Sequence, residues 1–318
     1  MTYRGSIKNK FGSNRNYQSI ALAVSGLNYY GDLSPAPKMI STDVGLTKPG
    51  FSISYESRVA PRYSVRGNFL YGTRSGADRE SADQSDLTNG VFRFNRNLSF
   101  RNRISELSAM VVVDLFKNAS FYTDRVRFAP YIFFGAGLLH HNPQAKVPLK
   151  DLQGNELQNA GEWVDLKALG TEGQNANLTQ GDANYGIKPY NLIQPVIPVG
   201  MGVRIRLNDQ CDISWEISVR YLFSDYIDDV SRNYVDLGVL GDNELAKAMS
   251  YRTNEIMTPN YQYTSERDGQ QYSVLAGYGH EREDSKRGNM YNNDLYSVVS
   301  IRLSYIVKNL PSNRAKSR

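Results

Sequence analysis

The chain has 318 residues, with 37 Lys and Arg against 32 Asp and Glu, a net charge of +5, and 40% hydrophobic residues. Nowhere do about 18–20 apolar residues run together, which excludes a transmembrane helix. A single cysteine, Cys211, excludes an intrachain disulfide.

Alternation is the dominant pattern. A two-residue period of apolar and polar side chains marks a strand with one face of each kind. In the first stretch, Tyr17 to Tyr30, Ile20, Leu22 and Val24 are in phase but Leu27 and Tyr29 are not, and a bulge at Ser25-Gly26 is the expected cause. Phe51, Ile53, Tyr55 and Val59 form the second row, and after the Ala60-Pro61-Arg62 turn Tyr63, Val65, Gly67, Phe69 and Tyr71 form the third. Leu107 to Leu115 gives a fourth, and Tyr131, Phe133, Gly135, Gly137 and Leu139 a fifth with less polar partners. The sixth row is Val199, Met201, Val203, Ile205 and Leu207; the last is Val299, Ile301, Leu303, Tyr305 and Val307. Between them, the fourteen residues Asp212 to Asp225 alternate most cleanly, with Ile213, Trp215, Ile217, Val219, Tyr221 and Phe223 on one face. Ordinary strands run roughly 5–6 residues, whereas a tilted strand crossing a bilayer needs about 9–11.

Eight strands follow, joined alternately by shorter and longer connections. Val59 to Arg62, Lys117 to Arg127 and Asn208 to Cys211 are the shorter ones; Gly31 to Lys48, Thr73 to Asn97, His141 to Tyr190 and Ser224 to Asp294 are long. Short turns at one end and long loops at the other describe an all-β, eight-stranded antiparallel up-and-down transmembrane barrel of the bacterial outer membrane, with long extracellular loops and both termini periplasmic. A soluble lipocalin-like barrel shares the period but points its apolar face inward. Lipid outside is favoured because Glu56, Arg66, Asp114, Arg204, Glu216, Arg220 and Arg302 lie on the polar face as salt partners for a narrow lumen, and because the connections are so unequal. The expected organisation is a basic periplasmic tail at 1–16, the barrel at 17–307 with loop insertions at 141–190 and 224–294, and a second basic periplasmic tail at 308–318. Residues 1–16 show none of the features expected of an export signal, which leaves three readings: a signal already removed, a misassigned start, or a cytoplasmic protein.

No catalytic constellation, phosphate loop or metal spacing appears, so neither enzymatic activity nor a cofactor is expected. His140 and His141 are strand neighbours pointing to opposite faces and cannot readily share a metal. Asp225, Asp228 and Asp229 lack the glycine turn of a calcium loop. Within the fourth long loop, Asp242 to Met249 reads as a short capped helix and Tyr272 to Tyr278 as a hairpin strand above the membrane.

Basic residues concentrate at the chain ends. Arg4, Lys8, Lys10 and Arg15, with Lys308, Arg314, Lys316 and Arg318, give eight positive charges without an acid, so the intervening chain is net negative. These tails lie on the short-turn side, near Arg58, Arg62, Lys117, Arg125 and Arg127. One reading is attraction to anionic inner-leaflet headgroups of the outer membrane, together with solubility of disordered chain ends. The other is a docking face for a periplasmic partner, formed by Arg58, Arg62, Lys117, Arg125, Arg127 and Lys308. A nucleic-acid partner is not expected, because no recognisable nucleic-acid fold surrounds these residues.

Tyr29 to Leu33, Asn97 to Asn102, Tyr131 to Pro143, Lys188 to Leu192 with Gln194-Pro195 and Pro198 to Gly200, Tyr221 to Ser231 with Tyr234, Arg287 to Asn289, and Asn293 to Tyr296 form an ordered series of segments. In that order they resemble the PorG-like outer-membrane barrels. The resemblance implies a component of the type IX secretion system that anchors or organises a periplasmic ring of the PorK and PorN type at the outer membrane. The alternative is a small barrel that binds a ligand or small solute through its large extracellular loops.

Overall fold

The structure, a computed structural model, describes residues 16–33, 47–118, 121–282, 285–291 and 293–307. Eight long strands carry the fold: β1 Gln18–Tyr30, β2 Lys48–Arg58, β3 Tyr63–Ala77, β4 Ser99–Asp114, β5 Phe128–His140, β6 Ile193–Arg206, β7 Cys211–Leu222 and β8 Leu295–Val307. Each pairs antiparallel with its neighbours in the sequence, and β8 returns to β1, so the sheet closes without an edge. Among the described residues no helix is long and apolar enough to cross a membrane. The strands do that work.

The outer surface is what identifies the solvent around it. Leu22, Val24, Ile53, Val65, Leu107, Trp215, Ile217, Ile301 and Leu303 all stand exposed on the barrel wall. On β3 the exposed row runs from Tyr63 through Val65 and Phe69 to Tyr71, then turns to Thr73 and Ser75. On β4, paired with it, the same boundary falls between Leu107 and Ser105, beyond which Arg103 and Arg101 face outward. Nine residues from Tyr63 to Tyr71 rise roughly 27 Å along the strand, or about 20 Å once tilted, close to the apolar height of an outer-membrane barrel. Tyr55, Tyr63, Phe128 and Tyr305 ring the short-turn end, and Phe51, Tyr71 and Tyr221 the other. This is an eight-stranded barrel of the outer-membrane type.

Two expectations are corrected. The register of β1 against both β2 and β8 is unbroken through Ser25 and Gly26, so there is no bulge. Leu27 and Tyr29 point inward, as their position dictates, because the interior itself turns apolar near the long-loop end, where they pack with Leu33, Leu70, Leu98, Phe100 and Ile104. The row Tyr131, Phe133 and Leu139 also faces inward, while Ile132, Phe134 and Leu138 meet lipid. Both faces of β5 are apolar, so the period alone does not orient it. Gly200 and Gly202 on β6 decide the matter: a Cβ on either would lie 2.6 or 2.8 Å from the rings of Phe133 and Tyr131, which occupy that space.

Over their described residues the second, third and fourth long connections are packed rather than loose. The fourth holds the helix Glu244–Ser250, capped by the Asn243 side chain accepting from the Ala246 amide at 3.0 Å, and the hairpin of Tyr261–Thr264 with Gln271–Val274. That hairpin stands above the barrel, leaving the strand number even. Tyr234, Leu237, Tyr251, Tyr272, Val274 and Tyr278 form its own small core. The connections therefore build a cap over the mouth.

Candidate functional site

The lumen is occupied by charge. Six arginines and five carboxylates, contributed by β2, β3, β4, β6, β7, β8 and the β4–β5 turn, interlock along its length. Arg66 binds Glu56 at 2.9 Å and Glu216 at 2.7 Å. Arg204 joins Glu56 at 3.0 Å to Asp114 at 3.4 Å, and Arg302 reaches Glu56 at 3.1 Å and Glu216 at 3.5 Å. Nearer the mouth Arg220 pairs with Glu106 at 3.3 Å, and Tyr296 donates to the same carboxylate at 2.6 Å. Tyr131 donates to Glu216 at 2.6 Å while Arg204 and Arg66 lie over its ring. The seven lumen residues expected from the polar face are all here. An eight-stranded barrel has room for side chains and little else, and these fill it.

At the short-turn end the predicted interface divides. Arg58 is buried, donating to Asp114 at 2.7 Å and to the Pro61 carbonyl at 2.6 Å. Arg125 is also buried, forked onto Asp212 with a shortest contact of 2.6 Å and donating to the carbonyls of Tyr122, Asn208 and Asp209. Both close the lumen from below, so neither stands on the exposed rim. Strand alternation placed Arg58 inward, and the ring of turn carbonyls that captures Arg125 has no sequence signature. Arg62, Lys117 and Arg127 are exposed. The Asn118 amide donates to the Pro61 carbonyl at 2.9 Å, which holds the turns bearing Lys117 and Arg62 side by side. Lys308 and both basic tails lie outside the described residues.

The cap has a polar heart that composition did not announce. After β7, Asp225 and Asp228 turn inward to meet Asp32 and Asp294 rather than water, while Asp229 turns to Arg287, Thr171 and Tyr190. Tyr29 contacts Asp228 at 2.5 Å and Asp294 at 2.8 Å. Burial, reinforced by the neighbouring charges of Asp294, Asp32 and Asp228, pushes the Asp225 carboxyl up to about 11. Burial likewise raises Asp228 far above the carboxylate range and Asp294 to about 7. Asp229 is raised to about 6 by burial against the opposing pull of Arg287, and accepts from Thr171 at 2.5 Å and Tyr190 at 2.8 Å. Asp229 adopts φ 68, a left-handed conformation that Asp and Asn tolerate better than other side chains. His141 is buried and its imidazole is pushed down to about 3, so it stays neutral beside Tyr190. No group of three or more His, Cys, Asp or Glu among the described residues is disposed to hold a metal.

Three residues to which sequence patterns assign no structural role tie this cap together. Arg287 donates to Glu172 at 3.0 Å and to the Asp229 carbonyl at 2.5 Å, joining the third and fourth long connections. Glu172 also accepts from the Ser231 amide at 2.9 Å. Arg96 forks onto Asp78 at 2.7 and 2.8 Å and donates to the carbonyls of Asp32 and Arg287, linking the other two connections to the fourth. Only the length of the loops hinted that they were structured.

The family model for a domain of unknown function, DUF6089, matches residues 7–158, just under half of the chain. A comparison with curated proteins finds no match. Among solved structures, the chain is similar to Neisserial surface protein A, NspA, at 8% identity with a TM-score of 0.36, covering 91% of this chain and 96% of that one. Ail, the attachment invasion locus protein of Yersinia pestis, is similar at 9% identity and a TM-score of 0.35 over 92% of this chain and 97% of that one. A major outer membrane protein from Thermus thermophilus is similar at 10% identity and a TM-score of 0.39, over 91% and 99% of the two chains.

Proposed function

We propose that this protein is a non-enzymatic outer-membrane component of the type IX secretion system that anchors or organises a periplasmic ring of the PorK and PorN type, with both termini in the periplasm. The filled lumen carries the reading. A barrel interlocked from Arg125–Asp212 to Arg220–Glu106 leaves its two end faces, not a channel, to meet other molecules. The short-turn face presents Arg62, Lys117 and Arg127, a set that would steer and orient an acidic partner surface. The resemblance of segments such as Tyr221 to Ser231 to PorG-like barrels supports a ring protein as that partner.

Replacing Arg62, Lys117 and Arg127 together with Gln tests it. An exposed pair contributes only about 0–1 kcal/mol, so all three must change at once. The variant should insert and show the same heat-modifiable mobility, yet co-purify less ring protein, with the remaining complex more salt-sensitive. Undiminished co-purification and secretion would remove this face from the interaction.

A further inference from the structure

A cleft of about 220 Å³ opens on the cap, lined by 231–233, 286 and 288–291, with Ala183 and Asn184 closing one side. Its floor is fixed by the backbone. The amides of Arg287 and Gly288 donate to the Arg232 carbonyl at 2.8 and 2.7 Å, and the Tyr234 amide donates to the Ser285 carbonyl at 2.9 Å. The Asn184 side chain donates to the Asn233 carbonyl at 2.8 Å, and the Asn289 amide is held by Asp32 at 2.9 Å. Three connections thus meet in one braced surface, so little ordering is needed when something binds.

The lining has a definite chemistry. Two cations, Arg232 and Lys286, border the cleft, and neither forms an ion pair among the described residues; no carboxylate is among its described lining residues, although those of Asp32 and Glu281 hold the backbone amides of Asn289 and Ala183. Asn233 and Asn289 bring side-chain amides whose nitrogens have no partner among the described residues. Tyr291 is 85% exposed, although its amide is held by the Asn289 side chain at 3.4 Å. Cations without an ion-pair partner among the described residues call for an anion, amides for hydroxyl groups, and an exposed ring for the apolar face of a small ring. The volume lies below the roughly 300–1,000 Å³ of pockets for drug-sized ligands, which suits one such unit.

We propose that this cleft binds an acidic sugar unit, with its carboxylate or phosphate between Arg232 and Lys286, its hydroxyls on Asn233 and Asn289, and its apolar face on Tyr291. The unit belongs either to a lipid-linked saccharide or to a soluble one. The inference is independent of the anchoring reading, since it concerns the opposite face and separate residues.

The test uses the full chain in detergent, titrated calorimetrically with a short glucuronate oligomer, glucose and inorganic phosphate. Glucuronate should bind, glucose at least tenfold more weakly, and inorganic phosphate more weakly as well. Arg232→Gln with Lys286→Gln should weaken glucuronate binding about tenfold or more, and Tyr291→Ala severalfold, while Arg62→Gln leaves it unchanged. Nanodiscs containing a lipid with an acidic sugar headgroup separate the sources. Competition with soluble glucuronate assigns the site to the lipid-linked form, and its absence to the soluble one. No glucuronate binding, equal binding of glucose, phosphate binding as tight as glucuronate, or unchanged binding in the Arg232/Lys286 double variant would each overturn the proposal. A Tyr291→Phe variant that still binds separates loss of stacking from loss of folding. None of these results alters co-purification through the short-turn face.

Discussion

The phenol of Tyr29 lies 2.5 Å from a carboxyl oxygen of Asp228, a residue 199 positions later in the chain, and 2.8 Å from Asp294. One hydroxyl proton cannot serve two acceptors, so one of the carboxyls must itself be protonated for both contacts to hold. Burial supplies the reason: it raises both, Asp294 to about 7. The folded cap therefore binds protons that the unfolded segment, with ordinary carboxyls near 3.9, releases. Stability from such groups is fully present below that lower value and is lost as pH rises through the folded one. Between about pH 4 and 7 the fourth long connection should become progressively easier to open, by up to about tenfold per pH unit from Asp294 alone, which is protonated in the folded cap and ionised in the opened segment over that range. Hydrogen exchange across 225–235 measured against pH checks this, and Asp294→Asn should flatten the profile. A profile already flat in the native sequence would mean that the cluster is ionised throughout.

Arg66 bridges Glu56 and Glu216 and is almost fully buried. Replacing it with Met takes the closest cation from both carboxylates and leaves Arg302, at 3.1 and 3.5 Å, as their remaining bridge. Breaking a buried pair in this way costs about 3–5 kcal/mol, and the urea midpoint of the folded barrel should fall accordingly. Adding Glu216→Gln to Arg66→Met should recover part of the loss, because one uncompensated charge is gone.

The lipid boundary on the wall gives a third expectation. Ile217 is exposed within the apolar band, whereas Ser105 lies just above it, on the outer row that continues into Arg103 and Arg101. An arginine near the bilayer midplane costs about 2–4 kcal/mol and near the interface about 0–1. Ile217→Arg should reduce membrane yield and heat-modifiable folding, while Ser105→Arg leaves both nearly unchanged. Equal tolerance would mean that the band has been drawn in the wrong place.

Closure along the lumen has its own consequence. In planar bilayers the native barrel should show no sustained conductance, since Arg58 and Arg125 close one end and the Arg287–Glu172 cap the other. Steady ohmic steps from the purified protein would contradict the packing described.

The eight crossings were legible because lipid and lumen impose a two-residue period that survives in nearly every strand, most clearly at Ile213 to Phe223. Orientation failed only where that contrast vanishes. Tyr131 and Phe133 are apolar yet face the lumen, because aromatic rings also accept the arginines Arg66 and Arg204. Leu27 and Tyr29 seemed out of phase because the interior beyond the membrane is an apolar collar, a property of the assembled cap and not of the strand. The carboxylates after Phe223 were visible, but the convergence of Asp225 and Asp228 with Asp32 and Asp294 depends on residues far apart in sequence. Arg58 and Arg125 were correctly placed at the short-turn end, and their engagement with Asp114 and Asp212 is a matter of three-dimensional packing.

Site-specific photocrosslinking in intact cells tests the central claim most directly. Crosslinking side chains placed at Arg62, Lys117 and Arg127, one at a time, should capture a periplasmic ring protein of the PorK and PorN type, while the same group at Tyr291 on the cap should not. Ring protein captured only from Tyr291, or from none of the three short-turn positions in a fully inserted barrel, would contradict the anchoring role.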